Sequence, residues 1–252
     1  MKEERREIIK NMFRTKGEVK LKELEERFPG CSSMTLRRDI ISLEEEGLVK
    51  RTRGGAVAMH NLMIVTEAAY HKRATANVEA KEEIARKAAA LFEQGCSLFI
   101  DAGSTMMYLA EKIPDEYCSV TTSGVNVSLE LMKKKYPIIT LLGGQLNKSS
   151  LSVAGVNSTE YLSQINIDIA FMASSGCTFE SGFTCGTYTE CGIKKEVIKN
   201  ARKKIVLMDY SKFGKNMPFT FAGFDDVDVV ISDSNMDPEM AEGIRMRGVE
   251  LL

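Results

Sequence analysis

The sequence is short of the residues that build several kinds of site. Only two histidines, His60 and His71, accompany six cysteines at positions 31, 96, 118, 177, 185 and 191. The cysteines are scattered, with no C-x-x-C pair, which argues against a disulfide framework or structural zinc and fits reduced thiols in a cytosol. No run approaches the ~18 consecutive apolar residues that a membrane span requires. The first residues, Met1-Lys-Glu-Glu-Arg-Arg-Glu, alternate in charge and lack the apolar core of a secretory signal. Neither charge sign dominates, with 34 Lys plus Arg against 35 Asp plus Glu. A cytoplasmic protein with no membrane association, metal or cofactor is expected. What remains is ordinary globular composition, 44% hydrophobic and 27% charged, over a length of 252 residues that suits a small domain beside a larger one.

The balanced total hides an asymmetry. Residues 1–60 hold 14 basic and 11 acidic side chains, and the remainder holds 20 and 24. The excess is small, and its arrangement says more than its size. Ile8, Ile9, Met12 and Phe13 mark one face of a first helix, ended by Thr15-Lys16-Gly17. Leu21, Leu24 and Phe28 mark a second, closed by Pro29-Gly30. Ser32 suits an N-cap for a third, with Leu36, Ile40 and Leu43 inward. Gly47 ends that helix, and Leu48 to Met59 alternates around Gly54-Gly55 like a two-stranded wing. Three helices in this order are the layout of a helix-turn-helix DNA reader, whose recognition helix meets base edges at its N-terminal end. The expected DNA contacts are Ser32, Ser33, Thr35, Arg37 and Arg38 on the helix, with Lys50, Arg51 and Arg53 on the wing. Hydroxyls and guanidinium groups suit phosphate oxygens and guanine edges. Taken singly, an Arg pair is a solvated helix face and a Gly-Gly pair a turn; the weight lies in their order.

The stretch from Val19 through Cys31-Ser-Ser-Met-Thr-Leu-Arg-Arg-Asp39 to Gly54-Gly55-Ala56 resembles the signature of DeoR-family bacterial transcriptional regulators. The family pattern Ser-x-x-Thr-Ile-Arg-Arg-Asp-Leu, Gly-x-Leu-x-Arg and Gly-Gly-Ala is met at Ser32, Thr35, Arg37, Arg38, Asp39, Gly47, Arg51, Gly54, Gly55 and Ala56.

Beyond a connector over 59–76, Ile84, Ala85, Ala88, Leu91 and Phe92 form a helical stripe. Strand-like runs at 97–100, 117–121, 138–142, 167–173, 204–208 and 227–231 then alternate with helices at 105–112, 125–135, 157–163, 188–202 and 238–246. Such alternation implies crossover units and a mostly parallel sheet. The expected fold is therefore α/β: a winged helix-turn-helix domain over 1–58 and an α/β sensor domain over 77–252. Each strand is followed by small, glycine-rich or hydroxyl residues, at the edge where open α/β sheets bind ligands. Candidate ligand contacts are Asp101, Gly103, Ser104 and Thr105; Thr122 and Ser123; Gly143 and Gly144; Gly176; and Asp209 and Lys212. Close-approaching amides and helix N-termini suit an anion, so the pattern points to a small phosphorylated polyol. Glu190 and Lys194, spaced i, i+4, read either as a surface ion pair or as partners for ligand hydroxyls. Cys177, Cys185 and Cys191 lack the basic cluster of a redox sensor and read as filler.

The DeoR resemblance continues here. Asp101-Ala-Gly-Ser-Thr is similar to the family's Asp-x-Gly-Thr-Thr, Asp168-Ile-Ala-Phe to its Asp-x-Ala-Phe, and Glu190, Lys194 and Asp209-x-Ser-Lys212 to later motifs, while Ser123-Gly124 departs from Thr-Asn-Ser. The resemblance implies a sensor related in fold to sugar-phosphate isomerases that binds phosphorylated sugars and controls DNA affinity. The expectation is a non-enzymatic regulator, a repressor of a carbohydrate operon. Its partners would be double-stranded operator DNA, a phosphorylated sugar and further copies of itself, as a homodimer or higher oligomer. Two alternatives stay open. One is a working aldose–ketose isomerase with Asp101, Glu190 or Asp209 as base; the other is a ligand-independent architectural or partner-binding protein.

Overall fold

In the computed structural model, which describes residues 2–16, 18–46, 48–52, 54–58 and 70–252, the chain divides into two units, residues 1–66 and 67–252. The first holds helix α1 (Lys2–Lys16), strand β1 (Glu18–Lys20), helices α2 (Leu21–Arg27) and α3 (Ser33–Glu45), and strands β2 (Val49–Thr52) and β3 (Gly55–Ala58). Ile9 and Phe13 of α1, Leu24 of α2 and Leu36, Ile40 and Leu43 of α3 bury together with Val19, Val49 and Ala56. The α1 stripe is narrower than its sequence suggests: Ile8 is 37% exposed, because one residue turns the side chain about 100° around the axis. Ser32 caps α3 as expected, its Oγ accepting from the Thr35 amide at 3.2 Å. Asp39, buried on the same helix, accepts from Arg5 Nε at 2.7 Å and Arg6 Nε at 3.2 Å and so ties α1 to α3.

The wing is a three-stranded antiparallel sheet in the order β1-β3-β2. Its third strand, β1, is too short to show a period and is not foreseen by the sequence pattern. Lys20 pairs with Gly55 across it. A Cβ on Gly55 would lie 2.2 Å from the Val19 carbonyl oxygen, so only glycine permits this approach. Gly17, Gly47 and Arg53 lie outside the described residues, as does 59–69 of the expected connector.

The second unit begins with helices α4 (Tyr70–Thr75) and α5 (Val78–Ala89). Residues 70–75, placed in the connector by sequence, are helical: the Tyr70 ring is buried and its amide donates to Ser149 O at 2.8 Å. There follow β4 (Ser97–Ile100), α6 (Ser104–Lys112), β5 (Ser119–Thr122), α7 (Val125–Leu131), β6 (Ile138–Leu141), a hairpin of β7 (Gln145–Asn147) and β8 (Ser152–Ala154), and α8 (Val156–Leu162). The chain continues through β9 (Ile167–Ala173), β10 (Gly176–Thr178), β11 (Gly182–Cys185), α9 (Tyr188–Asn200), β12 (Ala201–Leu207), β13 (Phe219–Ala222), β14 (Val229–Ile231), α10 (Pro238–Arg245) and β15 (Glu250–Leu251).

Seven strands form one sheet, β15-β14-β12-β9-β4-β5-β6, and every pairing in it is parallel. Side chains alternate between two cores. Leu98, Ile100, Ile169, Phe171, Ile205 and Leu207 bury on one face; Phe99, Ala170, Met172, Val206 and Met208 bury on the other. Burial on both faces is why these strands read as continuous apolar runs. The expected helix over 188–202 stops at Asn200, because Ala201 and Lys203 pair with Ile167 and Ile169 and extend β12 toward its N-terminus. The antiparallel strands β7, β8, β10, β11 and β13 are additions that three- and four-residue segments do not announce. Among the described residues no helix is long and apolar enough to cross a membrane.

Candidate functional site

Two surfaces carry the candidate chemistry. On the first unit, Arg37 and Arg38 stand exposed on α3. Arg37 shares a groove with Met34, Ile41 and the wing residues Arg51, Thr52 and Gly54. Met34, 61% exposed, offers an apolar contact of the kind that meets a thymine methyl; sequence places it on the exposed side without assigning it a role. Ser32 and Thr35 spend their hydroxyls on each other at 2.9 Å, and Ser33 donates to Glu25. Lys50 is exposed. Arg51 is paired: Glu44 Oε1 accepts its amide at 3.0 Å and Glu44 Oε2 its guanidinium. These bonds, the backbone one foremost, hold the Glu44 carboxyl below its usual range. Glu44, near the C-terminal end of α3, therefore reaches the wing.

On the second unit, the loops after β4, β5, β9 and β12, the turn before β8 with that strand itself, and the first turns of α6 and α9 enclose a cleft at the carboxyl edge of the sheet. Asp101 ends β4 and is 3% exposed. Its Oδ1 accepts from the Ala102 amide at 2.8 Å and Ser123 Oγ at 3.2 Å. Its Oδ2 accepts from the Ala173 amide at 3.0 Å and from Lys194 Nζ. Gly103, at φ 137°, turns the chain into α6, so Ser104 and Thr105 enter the lining from its first turn. Lys194 is 6% exposed. Burial pulls its pKa down, but the neighbouring Asp101, Cys185 and Glu190 more than offset this and the pKa lies above its ordinary 10.5.

The i, i+4 ion pair read between Glu190 and Lys194 is not formed. Lys194 turns to Asp101, and Glu190 Oε1 accepts instead from Ser150 Oγ at 2.6 Å and Ser152 Oγ at 2.7 Å. Lys212 lines this cleft and a neighbouring one, which also holds Asp209.

The remaining candidates lie outside the lining. Thr122 is fully buried, its Oγ1 accepting from the Gly124 amide at 3.0 Å. The Gly143 carbonyl accepts from Ser158. Gly144 packs against the Ala154 carbonyl, and Gly176 against that of Lys215. These glycines shape the walls from behind. Ser174 and Ser175, in the hydroxyl-rich run that the sequence places at a strand end, line the cleft, and so do Ser150, Ser152 and Arg73, which the sequence pattern does not single out. Nothing in the spacing of Ser149-Ser150-Leu151-Ser152 announces a hairpin.

The neighbouring cleft adjoins the first through Ser104, Arg73 and Lys212 and is also lined by Lys72, Lys81 and Lys215. Lys81 is 3% exposed and donates to the carbonyls of Arg73 and Ala76. Burial pulls its pKa down, opposed by Asp209 and assisted by Lys212 and Arg73. Asp209 Oδ1 accepts from Asn77 Nδ2 and the Ser211 amide, each at 3.0 Å. Burial pushes the Cys177 and Cys185 thiols up to about 12, far from the thiolate character a redox sensor needs.

Comparison with known proteins decides the family. A match to the DeoR-like helix-turn-helix domain spans residues 5–61, and a match to the DeoR C terminal sensor domain spans residues 76–234. The chain belongs to the DeoR family of transcriptional regulators. This regulator is 32% identical over 227 residues to the glycerol-3-phosphate regulon repressor of Escherichia coli K12, covering 90% of this chain and 88% of that one. It is 30% identical over 224 residues to the transcriptional regulator GlpR of Haloferax volcanii, covering 88% and 87%. Among solved structures, ribose 5-phosphate isomerase A of Methanocaldococcus jannaschii aligns with a TM-score of 0.41 and 18% identity over 55% of each chain.

Proposed function

We propose that this regulator is a cytoplasmic repressor of a carbohydrate-utilisation operon, released from its operator by a phosphorylated sugar. In this reading residues 1–58 grip DNA as part of a homodimer or higher oligomer, and residues 77–252 sense the metabolite. The observation that carries it is the pair of adjoining clefts. One presents Glu190, Lys194 and serine hydroxyls suited to a polyol; the other presents five cations, Lys72, Arg73, Lys81, Lys212 and Lys215, around the single carboxylate of Asp209. A phosphate near Ser104, at the start of α6, would meet helix amides as well as those cations. The repressor named for glycerol-3-phosphate among the relatives supports the same ligand class. A binder is favoured over an isomerase because the full-length relatives are named as transcriptional regulators and repressors.

The test is a mobility-shift titration on the upstream intergenic DNA with a panel of phosphosugars at low ionic strength. At least one should dissolve the complex. Retention against the whole panel, or no complex at all, ends the proposal. Binding should weaken steeply with salt, as phosphate contacts require.

Two substitutions separate the ends of the chain. Arg37→Ala should cost roughly 1–3 kcal/mol of operator binding, and native affinity after changing both Arg37 and Arg38 would contradict the recognition-helix assignment. Lys212→Ala should leave operator binding intact and abolish metabolite-triggered release, read in the same titration; normal release removes Lys212 from the site.

A further inference from the structure

The β7–β8 hairpin touches both the ligand cleft and the point where the larger unit begins. Its Ser150 and Ser152 hydroxyls hold Glu190 Oε1 from the cleft wall. One residue earlier, the Ser149 carbonyl accepts from the Tyr70 amide at 2.8 Å and from Arg73 Nη2 at 3.4 Å, both on α4. Tyr70 is itself fixed by side-chain bonds: its hydroxyl accepts from Asn126 Nδ2 at 3.0 Å and donates to Met107 Sδ at 2.9 Å. In sequence, α4 directly follows residues 59–69, through which the chain arrives from the DNA-reading unit.

Leu151, between the two serines, sits at φ 54°. That left-handed conformation is costly for any residue but glycine, asparagine or aspartate. It persists because its surroundings hold it: Leu151 O accepts from the Val125 amide at 2.9 Å, and the Val153 amide donates to Ser123 O at 2.8 Å. The turn is therefore held in a strained conformation by backbone hydrogen bonds, with the serine bonds to Glu190 on either side of it. Strain of this kind persists only where other contacts over-determine it and is often part of a switch.

We infer that the β7–β8 hairpin is the coupling element, in which ligand hydroxyls that take Glu190 from Ser150 and Ser152 let the turn relax at Leu151 and loosen the hold of Ser149 on α4. This deepens the effector reading and rests on it. A ligand shifts an equilibrium only through differential contacts with its two states, and competition for one carboxylate oxygen supplies such a difference directly. Ser149, Ser150 and Ser152 become transducing residues and Tyr70 the receiving one.

The test uses the full chain without any ligand. Ser150→Ala with Ser152→Ala removes the bonds a metabolite would displace. Operator affinity should fall by about 5- to 150-fold, the range of a typical coupling, and hydrogen exchange at the Tyr70 amide should accelerate in step. Leu151→Asn, which tolerates the left-handed conformation, should do the reverse: Tyr70 exchange slows and operator binding is retained. Native operator affinity in the serine double variant, or unchanged Tyr70 exchange in both variants, overturns the inference. A responsive phosphosugar together with inert hairpin variants sinks this inference and spares the effector reading. Hairpin variants that shift as stated while no phosphosugar acts do the opposite.

Discussion

Replacing Asp101 with alanine lowers the stability of the larger unit by about 3–5 kcal/mol, the cost of leaving a buried charge without its partner. Lys194 has its ammonium between Asp101 and the Ala173 carbonyl and is itself buried. Without the carboxylate, the Ala102 and Ala173 amides and the Ser123 hydroxyl also lose an acceptor. Lys194→Met is milder, because Asp101 keeps those three donors. The double variant Asp101→Ala, Lys194→Met should cost less than the two single changes together, since neither charge then stands alone.

The pH dependence has a definite sign. In the native chain the Lys194 pKa is raised above 10.5. Its stabilising contribution is thus fully present below that value and is lost as pH climbs through the raised one. In Asp101→Ala burial dominates and the lysine pKa drops, so the variant regains stability as pH rises from neutral toward 10.5. Urea melts at neutral and alkaline pH read both effects. A loss below about 1 kcal/mol, the ordinary range of an exposed pair, would show the bridge to be superficial.

Gly55→Ala should abolish operator binding while leaving the larger unit folded. Its Cβ would stand 2.2 Å from Val19 O and 2.7 Å from Lys20 Cα. Both are backbone atoms, so no side-chain rotation relieves the clash. Overpacking of this kind costs about 1–3 kcal/mol and more where the backbone cannot yield. A unit of 66 residues has roughly 3–10 kcal/mol to lose, and the strand at risk, β1, aligns the wing with α1 and α2. Gly54→Ala is the control, since a Cβ there meets nothing within 4 Å. Mobility shifts and thermal melts together read the outcome: native DNA binding by Gly55→Ala would mean that β1 is dispensable.

The parallel sheet was legible because its strands are buried on both faces: Ile169-Ala170-Phe171-Met172 reads as a run and not as an alternation. The capped α3 was legible too, since Ser32 and the Leu36, Ile40, Leu43 spacing are local signals. What escaped is non-local. Asp39 sits in a recognisable motif, yet its bonds reach back 34 and 33 residues to Arg5 and Arg6. The partners of Glu190 lie 40 and 38 residues upstream in a hairpin with no period of its own. Lys194 finds Asp101 across 93 residues, so an i, i+4 rule pointed it to the wrong carboxylate. Thr122, Gly143, Gly144 and Gly176 occur at the right strand ends, but end position alone does not tell a lining residue from one packed behind the wall.

The pairing of Glu44 with Arg51 bears on how tightly such a regulator should hold its operator. A guanidinium already matched to a carboxylate would have to exchange that partner for a phosphate, so docking it would release fewer net counterions than docking an unpaired one. A moderated grip is an advantage for a switch. Typical effector coupling changes affinity by 5- to 150-fold, enough to clear a site whose occupancy stands near its midpoint and too little to dislodge a protein bound many orders more tightly. On the proposed effector reading, the acid at the far end of α3, by tempering one basic residue at the wing, would keep dissociation within a metabolite's reach.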